Sequence, residues 1–404
     1  MVRMAKGQVW QRVCDFFPIT GLHFSRPIVL FQSDDWGFLG IRDRDGFDEL
    51  QGHGFSLGSQ PYDFCSLETA EDLHRLYEVL RQHHDSVGRS PCFVFNFILA
   101  NVDFSKVIES NFRRLELMPL DEGLPGSWKR PGLLRAYREG IENGLIYPGF
   151  HGLTHFSQNA VEGIMRGHDE RNRLLRVLYE AQTPMINDRT PWIDFEYRNL
   201  SDGRTRGWLD GPTQRKLMGD GKKIFQRMFG VAPVSACAPG YRANEDTRRA
   251  WMEEGILVGQ NGPGSLLAPH FDGRGLLHLY RNVPFEPALD PDRYDERDAM
   301  NRAEEAINAG KPVIVCMHSV NFHSALKNYR DVTLEHLHRF LTMLERKYDD
   351  LLYVHDSDIL SMVQKNGLEW KGQKLKIEVS RHFQRSPTLG YYWTKVTHTS
   401  GSLS

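Results

Sequence analysis

Four stretches of this 404-residue chain place chemistry-bearing side chains directly after short apolar runs. Pro27-Ile-Val-Leu-Phe31 leads into Ser33-Asp34-Asp35-Trp36. Successive side chains of an extended chain point to opposite faces, so the two carboxylates must diverge. One can bind a cation while the other faces a substrate. Leu145 to Phe150 leads into His151-Gly-Leu-Thr-His155. A spacing of four brings both imidazoles to one face where the chain turns helically, which suits metal capture. Two histidines and one carboxylate make a three-ligand site with an open position for water. Val234 to Cys237 leads into Ala238-Pro-Gly-Tyr-Arg242, a tight turn able to offer backbone N–H groups beside an aromatic hydroxyl. Pro312 to Met317 leads into His318-Ser-Val-Asn321, where a histidine can act as general acid. Each stretch alone also reads as a capped turn, a loop pair or a buried core histidine. The case rests on all four standing at the ends of apolar runs.

Those runs are strand candidates, and four more complete the series: Cys92 to Phe97, Ile256 to Val258, Leu276 to Tyr280, and Leu351 to Val354. Helical patterns lie between them: Thr69 to Gln82, Val161 to Ala181, Asp246 to Glu254, Asp298 to Asn308 and Thr333 to Tyr348. Eight strands alternating with helices predict an α/β fold, with a closed or nearly closed (β/α) barrel around a parallel sheet. In such a barrel catalytic groups emerge at the carboxyl ends of the strands. Residues 1–24 read as a lead-in and 25–366 as the barrel. Residues 187–212 read as a surface insertion. Residues 367–404 read as a small β extension, with Leu375 to Val379 and Tyr391 to Val396 forming a hairpin.

Composition sets the outer bounds. Fifty basic against 52 acidic residues leave a formal charge of -2, which predicts neither a nucleic-acid footprint nor attraction to anionic lipid. Five cysteines without CxxC spacing predict free thiols and a reducing compartment. No stretch has the length of apolar chain that a membrane helix needs. Met1 to Phe24 lacks a signal-peptide core, so a cytoplasmic protein is expected. Of the 17 histidines, the strand ends single out His151, His155 and His318.

Together the four stretches resemble the polysaccharide deacetylase family, the NodB-homology carbohydrate esterases. The likeness spans about Pro27 to Gln364. It implies an irregular (β/α) barrel of the glycoside hydrolase and deacetylase type, and a metal-dependent hydrolase that removes an acyl group, N-acetyl above all, from a carbohydrate. On this likeness Asp34 is the catalytic base, Asp35, His151 and His155 hold a divalent ion (Zn²⁺, or else Co²⁺, Mn²⁺ or Fe²⁺), and His318 protonates the leaving group. Tyr241 shapes the groove and its turn gives an N–H to the oxyanion. Trp36, Arg242 and Asn321 are further substrate-side candidates, and Asp356 or Asp358 is a candidate to orient His318. Phe322 reads as core.

The chain departs from the family at telling positions. Gly152 stands where the second motif has Ser or Thr. Trp36 stands where Gly usually follows the Asp pair. Cys237 stands where an Arg braces the catalytic Asp, unless Arg242 reaches back. The fourth motif has no clear counterpart. Two other readings fit the same residues: an amidase acting on a non-sugar, ureide-like C–N bond, and an inactive carbohydrate-binding barrel. Retention of both an acid and a base argues against the last.

Overall fold

The computed structural model describes residues 19–199, 207–263 and 267–384. At its centre is a ten-stranded sheet of β1 (Ile28–Trp36), β2 (Phe93–Phe97), β3 (Ile146–Phe150), β4 (Ser235–Cys237), β5 (Val258–Asn261), β6 (His270–Phe271), β7 (Leu277–Tyr280), β8 (Val283–Pro284), β9 (Val313–His318) and β10 (Leu352–Tyr353). The order is β6-β7-β5-β4-β3-β2-β1-β9-β8, and β10 pairs with the foot of β1. Only the β6–β7 pairing is antiparallel. All eight apolar runs of the sequence contribute strands to this sheet.

A closed or nearly closed barrel was expected; among the described residues the strand ladders do not close into a ring. Instead, the two ends of an open order share one stretch of chain. Only Arg281 and Asn282 separate β7, paired to β5, from β8, paired to β9. The Arg281 N–H donates to the Asn261 carbonyl, and the Asn282 N–H to that of Ile314 (3.2 and 3.1 Å). Asn282 then replaces ladder bonds with its side chain, accepting from Ile314 N–H (2.9 Å) and donating to the Pro312 carbonyl (2.9 Å).

Period-two alternation divides the side chains of β1. Val29 and Phe31 join the large cluster under the helices, while Ile28 and Leu30 join a second cluster with Val258, Leu277, Leu279, Ile314 and Leu352. Gln32 and Asp34 continue the face of Ile28 and Leu30, so the floor of the site is apolar and its upper layer polar.

The helices mostly begin where side chains can cap them. Thr69, Asn244 and Asp295 accept the first-turn N–H groups of helices Ala70–Leu80, Glu245–Glu253 and Glu296–Asn308. The single helix expected over Val161 to Ala181 is two, Gln158–Arg166 and Glu170–Glu180, because Asp169 caps a fresh start. A 19-residue helix, Gly211–Phe229, was not evident from sequence. Gly219 and Gly221 depress its propensity. Yet a Cβ at Gly221 would lie 2.9 Å from the Phe150 ring, so close packing against β3 requires the glycine.

The described part of the C-terminal extension makes two pairings. Strand Gln373–Lys376 pairs back on Gly367–Trp370, and Val379–Gln384 pairs antiparallel with Ile19–Phe24. Tyr391 to Val396 and Cys14 lie outside the described residues. Among the described residues the four remaining cysteines are free, and no helix is long and apolar enough to cross a membrane.

Candidate active site

Register assembles the first part of the site. β9 lies beside β1 with His318 opposite Asp34, so a candidate acid and a candidate base stand on adjacent strand ends. Asp34 is 2% exposed. Arg281 grips both of its oxygens, Nη1 to Oδ2 at 2.6 Å and Nη2 to Oδ1 at 2.7 Å. Asn96 adds a bond to Oδ1 at 2.7 Å. Burial pushes the Asp34 carboxyl upward, but Arg281, with His151 and His318, holds the group well below the usual carboxylate range. Arg281 is itself fully buried and donates further to Gln32 (3.0 Å), Gln260 (2.8 Å) and the Tyr241 hydroxyl (2.9 Å).

This answers the missing brace. Arg242 is exposed and does not reach back, and Cys237, with Sγ 3.7 Å from Asp34 Oδ2, is too short to clamp it. Arg281 arrives from the end of β7 instead. Its signal was available: it directly follows the run Leu276 to Tyr280, a strand end whose next residue is charged.

The second part is a convergence of three ligand-type atoms. Asp35 Oδ1 lies 3.2 Å from His151 Nε2 and 3.1 Å from His155 Nε2. Asp35 turns away from Asp34 by adopting φ 71°, a left-handed conformation unusual for a non-glycine residue. The expected divergence of the two carboxylates is thus built into the backbone. His151 Nδ1–H donates to the Cys237 carbonyl at 2.8 Å, which fixes the tautomer and leaves Nε2 facing Asp35. The His155 ring lies between Phe38 and Phe195, with centroids at 5.0 and 5.6 Å. An acceptor oxygen facing two ring nitrogens calls for protons on the rings or a cation among them. A carboxylate oxygen with two imidazole nitrogens is a donor set that a divalent ion fits.

His318 supplies a third feature. Its Nδ1–H donates to Glu286 Oε1 at 2.6 Å, and Asn321 holds the other oxygen of Glu286 at 2.5 Å. Burial pulls the imidazole down, but Glu286, with Asp35 and Asp34, keeps His318 well above the ordinary histidine value. The orienting carboxylate is therefore Glu286, not Asp356 or Asp358. Asp356 is tied to Gln32 and Gln260 at 2.7 Å each, and Asp358 pairs with Arg89. Asn321 is fully buried and also accepts from Ala288 N–H, so it positions Glu286 rather than meeting a substrate.

Two more expectations need correcting. Trp36 is fully buried, stacked 3.5 Å from the Phe95 ring and 5.7 Å from Phe322, so it belongs to the core and offers no stacking face. The Tyr241 N–H donates to the Ala238 carbonyl (2.8 Å) within its turn, and the Arg242 N–H to that of Pro239 (3.1 Å). Neither is free for an oxyanion. Tyr241 contributes instead through its hydroxyl, which accepts from Arg281.

Part of the segment read as a surface insertion faces inward. Ile193, Glu196 and Tyr197 are 1% exposed or less. Glu196 accepts from Thr154 N–H (2.7 Å) and Leu153 N–H (3.2 Å), inside the loop that carries both histidines. Burial pushes its carboxyl up to about 7. A Cβ at Gly152, where φ is +113°, would sit 2.4 Å from Glu196 Oε2. A side chain at position 152 and the buried glutamate would therefore compete for the same space, and the glycine makes room for Glu196. No local pattern marks Glu196 in the sequence.

No family model and no curated protein matches the chain. Solved structures do. A protein of Mycobacterium smegmatis described as a polysaccharide deacetylase is 14% identical, with a TM-score of 0.44 over 87% of this chain and 95% of that one. A peptidoglycan deacetylase of Bacillus subtilis is 10% identical, with a TM-score of 0.35 over 84% and 93%. An allantoinase is 13% identical, with a TM-score of 0.39 over 83% and 89%. Overlap this loose leaves the functional reading to be carried by the site's own geometry, which is similar in kind to what the sequence motifs suggested.

Proposed function

We propose that the protein is a metal-dependent hydrolase that removes an acyl group, N-acetyl above all, from a carbohydrate, on an irregular (β/α)-barrel-like scaffold. The observation that carries this is the meeting of Asp35, His151 and His155 beside an arginine-braced carboxylate, Asp34, and a glutamate-backed histidine, His318. Asp35, His151 and His155 would hold the ion, with Zn²⁺ the first expectation and Co²⁺, Mn²⁺ or Fe²⁺ the alternatives. A divalent ion there supplies Lewis acidity, polarising a carbonyl and lowering the pKa of water toward about 7.

The chain's own groups divide the proton work. Asp34 accepts the proton that the attacking water loses. Arg281 makes Asp34 a weak base but keeps it ionised and aimed, so it needs an acidified water as partner. As the C–N bond breaks, protonated His318 delivers its proton to the departing nitrogen, which is too basic to leave as an anion. Glu286 keeps that proton in place near neutral pH.

Beside Asp35 and His155 lies a cleft lined by Phe38, Ile41, Tyr62, Met185, Ile186 and Asn187. Side chains that are mostly apolar favour a weakly polar group next to the ion. This lining supports a second reading, hydrolysis of a small non-sugar amide.

Elemental analysis and activity assays test both. Asp35→Ala and His151→Ala should lose stoichiometric metal, whereas Asp34→Asn should keep it and lose turnover. A well-folded, metal-free protein that gains no activity with Zn²⁺, Co²⁺ or Mn²⁺ would sink the reading. Acetate release from N-acetylated sugars, against ammonia release from ureides, separates the two substrates.

A further inference from the structure

Resting on the metal-site reading above, we infer that Glu196 is the positioning residue of the histidine loop: its carboxylate sets the backbone turn that aims His151 and His155 at one point. Three residues separate the two histidines, and the intervening backbone must reverse so that both Nε2 atoms reach Asp35 Oδ1. The turn exposes two consecutive N–H donors, Leu153 and Thr154, toward the interior. Glu196 takes one with each oxygen, Oε2 at 3.2 Å and Oε1 at 2.7 Å, and Oε1 also receives the Thr154 hydroxyl at 3.3 Å. Two parallel N–H···O bonds to one carboxyl group fix orientation as well as position.

The cost of this arrangement argues for its purpose. Glu196 is fully buried and has no ion-pair partner among the described residues. A buried carboxyl group with no cation among the described residues is costly, and a neutral or apolar residue would meet the needs of packing alone. The chain also gives up a side chain at position 152 to make room for it.

The segment that delivers Glu196 is anchored to the same loop on both sides. Ser157 N–H donates to the Ile193 and Asp194 carbonyls (3.3 Å each), and Ser157 Oγ to the Arg198 carbonyl (2.7 Å). Phe195, the preceding residue, packs edge-on against the His155 ring. Thus one short segment holds the backbone between the two histidines and the ring of the second.

Co²⁺ titration tests this, because its visible d–d bands report ligand geometry without any turnover. Chelator competition gives the affinity. Glu196→Ala should bind Co²⁺ on the order of 10–100-fold more weakly, with weaker and shifted bands. Glu196→Gln keeps one acceptor and should lose at least about threefold. Leu368→Ala, which weakens the core far from the loop, should bind as the wild type does. Wild-type affinity and bands in a folded Glu196→Ala would overturn the assignment. If that variant does not fold, unchanged binding by Glu196→Gln overturns it instead. An equal loss in Leu368→Ala would also overturn it, by showing that general weakening suffices. Absence of Co²⁺ binding by the wild type would strike the metal reading itself, and this assignment with it.

Discussion

Arg281 and Asp34 form a buried pair in which each satisfies the other, with Gln32, Gln260, Asn96 and Tyr241 completing the shell. Removing one partner of such a pair leaves an uncompensated charge, which costs about 3–5 kcal/mol. Arg281→Met should lower unfolding free energy by that amount in chemical denaturation. The pH dependence follows from the sign of the shift. Asp34 is depressed in the folded protein, so it stabilises above its ordinary value of 3.8 and loses that stabilisation as pH falls. Wild-type stability should therefore fall more steeply below about pH 4 than that of Arg281→Met. His318 carries the opposite sign. Glu286 raises it, so the protonated acid persists above the ordinary 6.5. In Glu286→Gln the alkaline limb of kcat/KM should move down in pH, with a loss on the order of tenfold at pH 8. An unmoved limb would exclude His318 as the acid. At this scale the sequence revealed the groups that follow apolar runs, Asp34, Asp35, His151, His155 and His318. It hid those that act from behind. Glu286 follows Val283-Pro-Phe, too short and Pro-broken to read as a strand.

The elements were legible where burial is two-sided and poorly legible where tertiary contact overrides local preference. β1 and β9 announced themselves as continuous apolar runs, whereas helix Gly211–Phe229 was masked by glycines that its contact with Phe150 requires. The described part of the 187–212 segment looked like surface because its composition is polar. Its one buried acid cannot be told from exposed ones by composition. That acid has a measurable signature. Burial raises Glu196 from 4.5 to about 7, so the folded protein holds a proton there that the unfolded chain has lost. Its contribution is present below pH 4.5 and declines as pH rises toward 7, by on the order of 3 kcal/mol. The stability of Glu196→Gln relative to wild type should therefore rise across that window when unfolding is followed at stepped pH. A constant difference would refute the burial argument.

At the scale of the molecule, the parallel sheet and its polar upper layer were anticipated, but the way its ends meet was not. A short β8 and an asparagine side chain do the work of a regular ladder there, and periodicity carries no sign of it. The extension is likewise more than an appendage. Leu368 and Ile377 are 3% and 1% exposed within the second core cluster, and Val379–Gln384 is the strand partner of Ile19–Phe24. At about 1.5–3 kcal/mol per large buried side chain, truncation after Asn366 should lower stability by on the order of 3–6 kcal/mol. Urea denaturation with an unchanged midpoint would show the extension to be dispensable.

The link between β7 and β8 bears on how such sites diverge. Because the guanidinium enters from that link, position 237 is released from carrying a long cation and can hold a residue as small as cysteine. One arrangement in space can thus be built from residues at different places along a chain. A search keyed to the order of residues passes over such an equivalence. One keyed to a buried arginine–aspartate pair at a strand end, with a histidine opposite in register, would recover it.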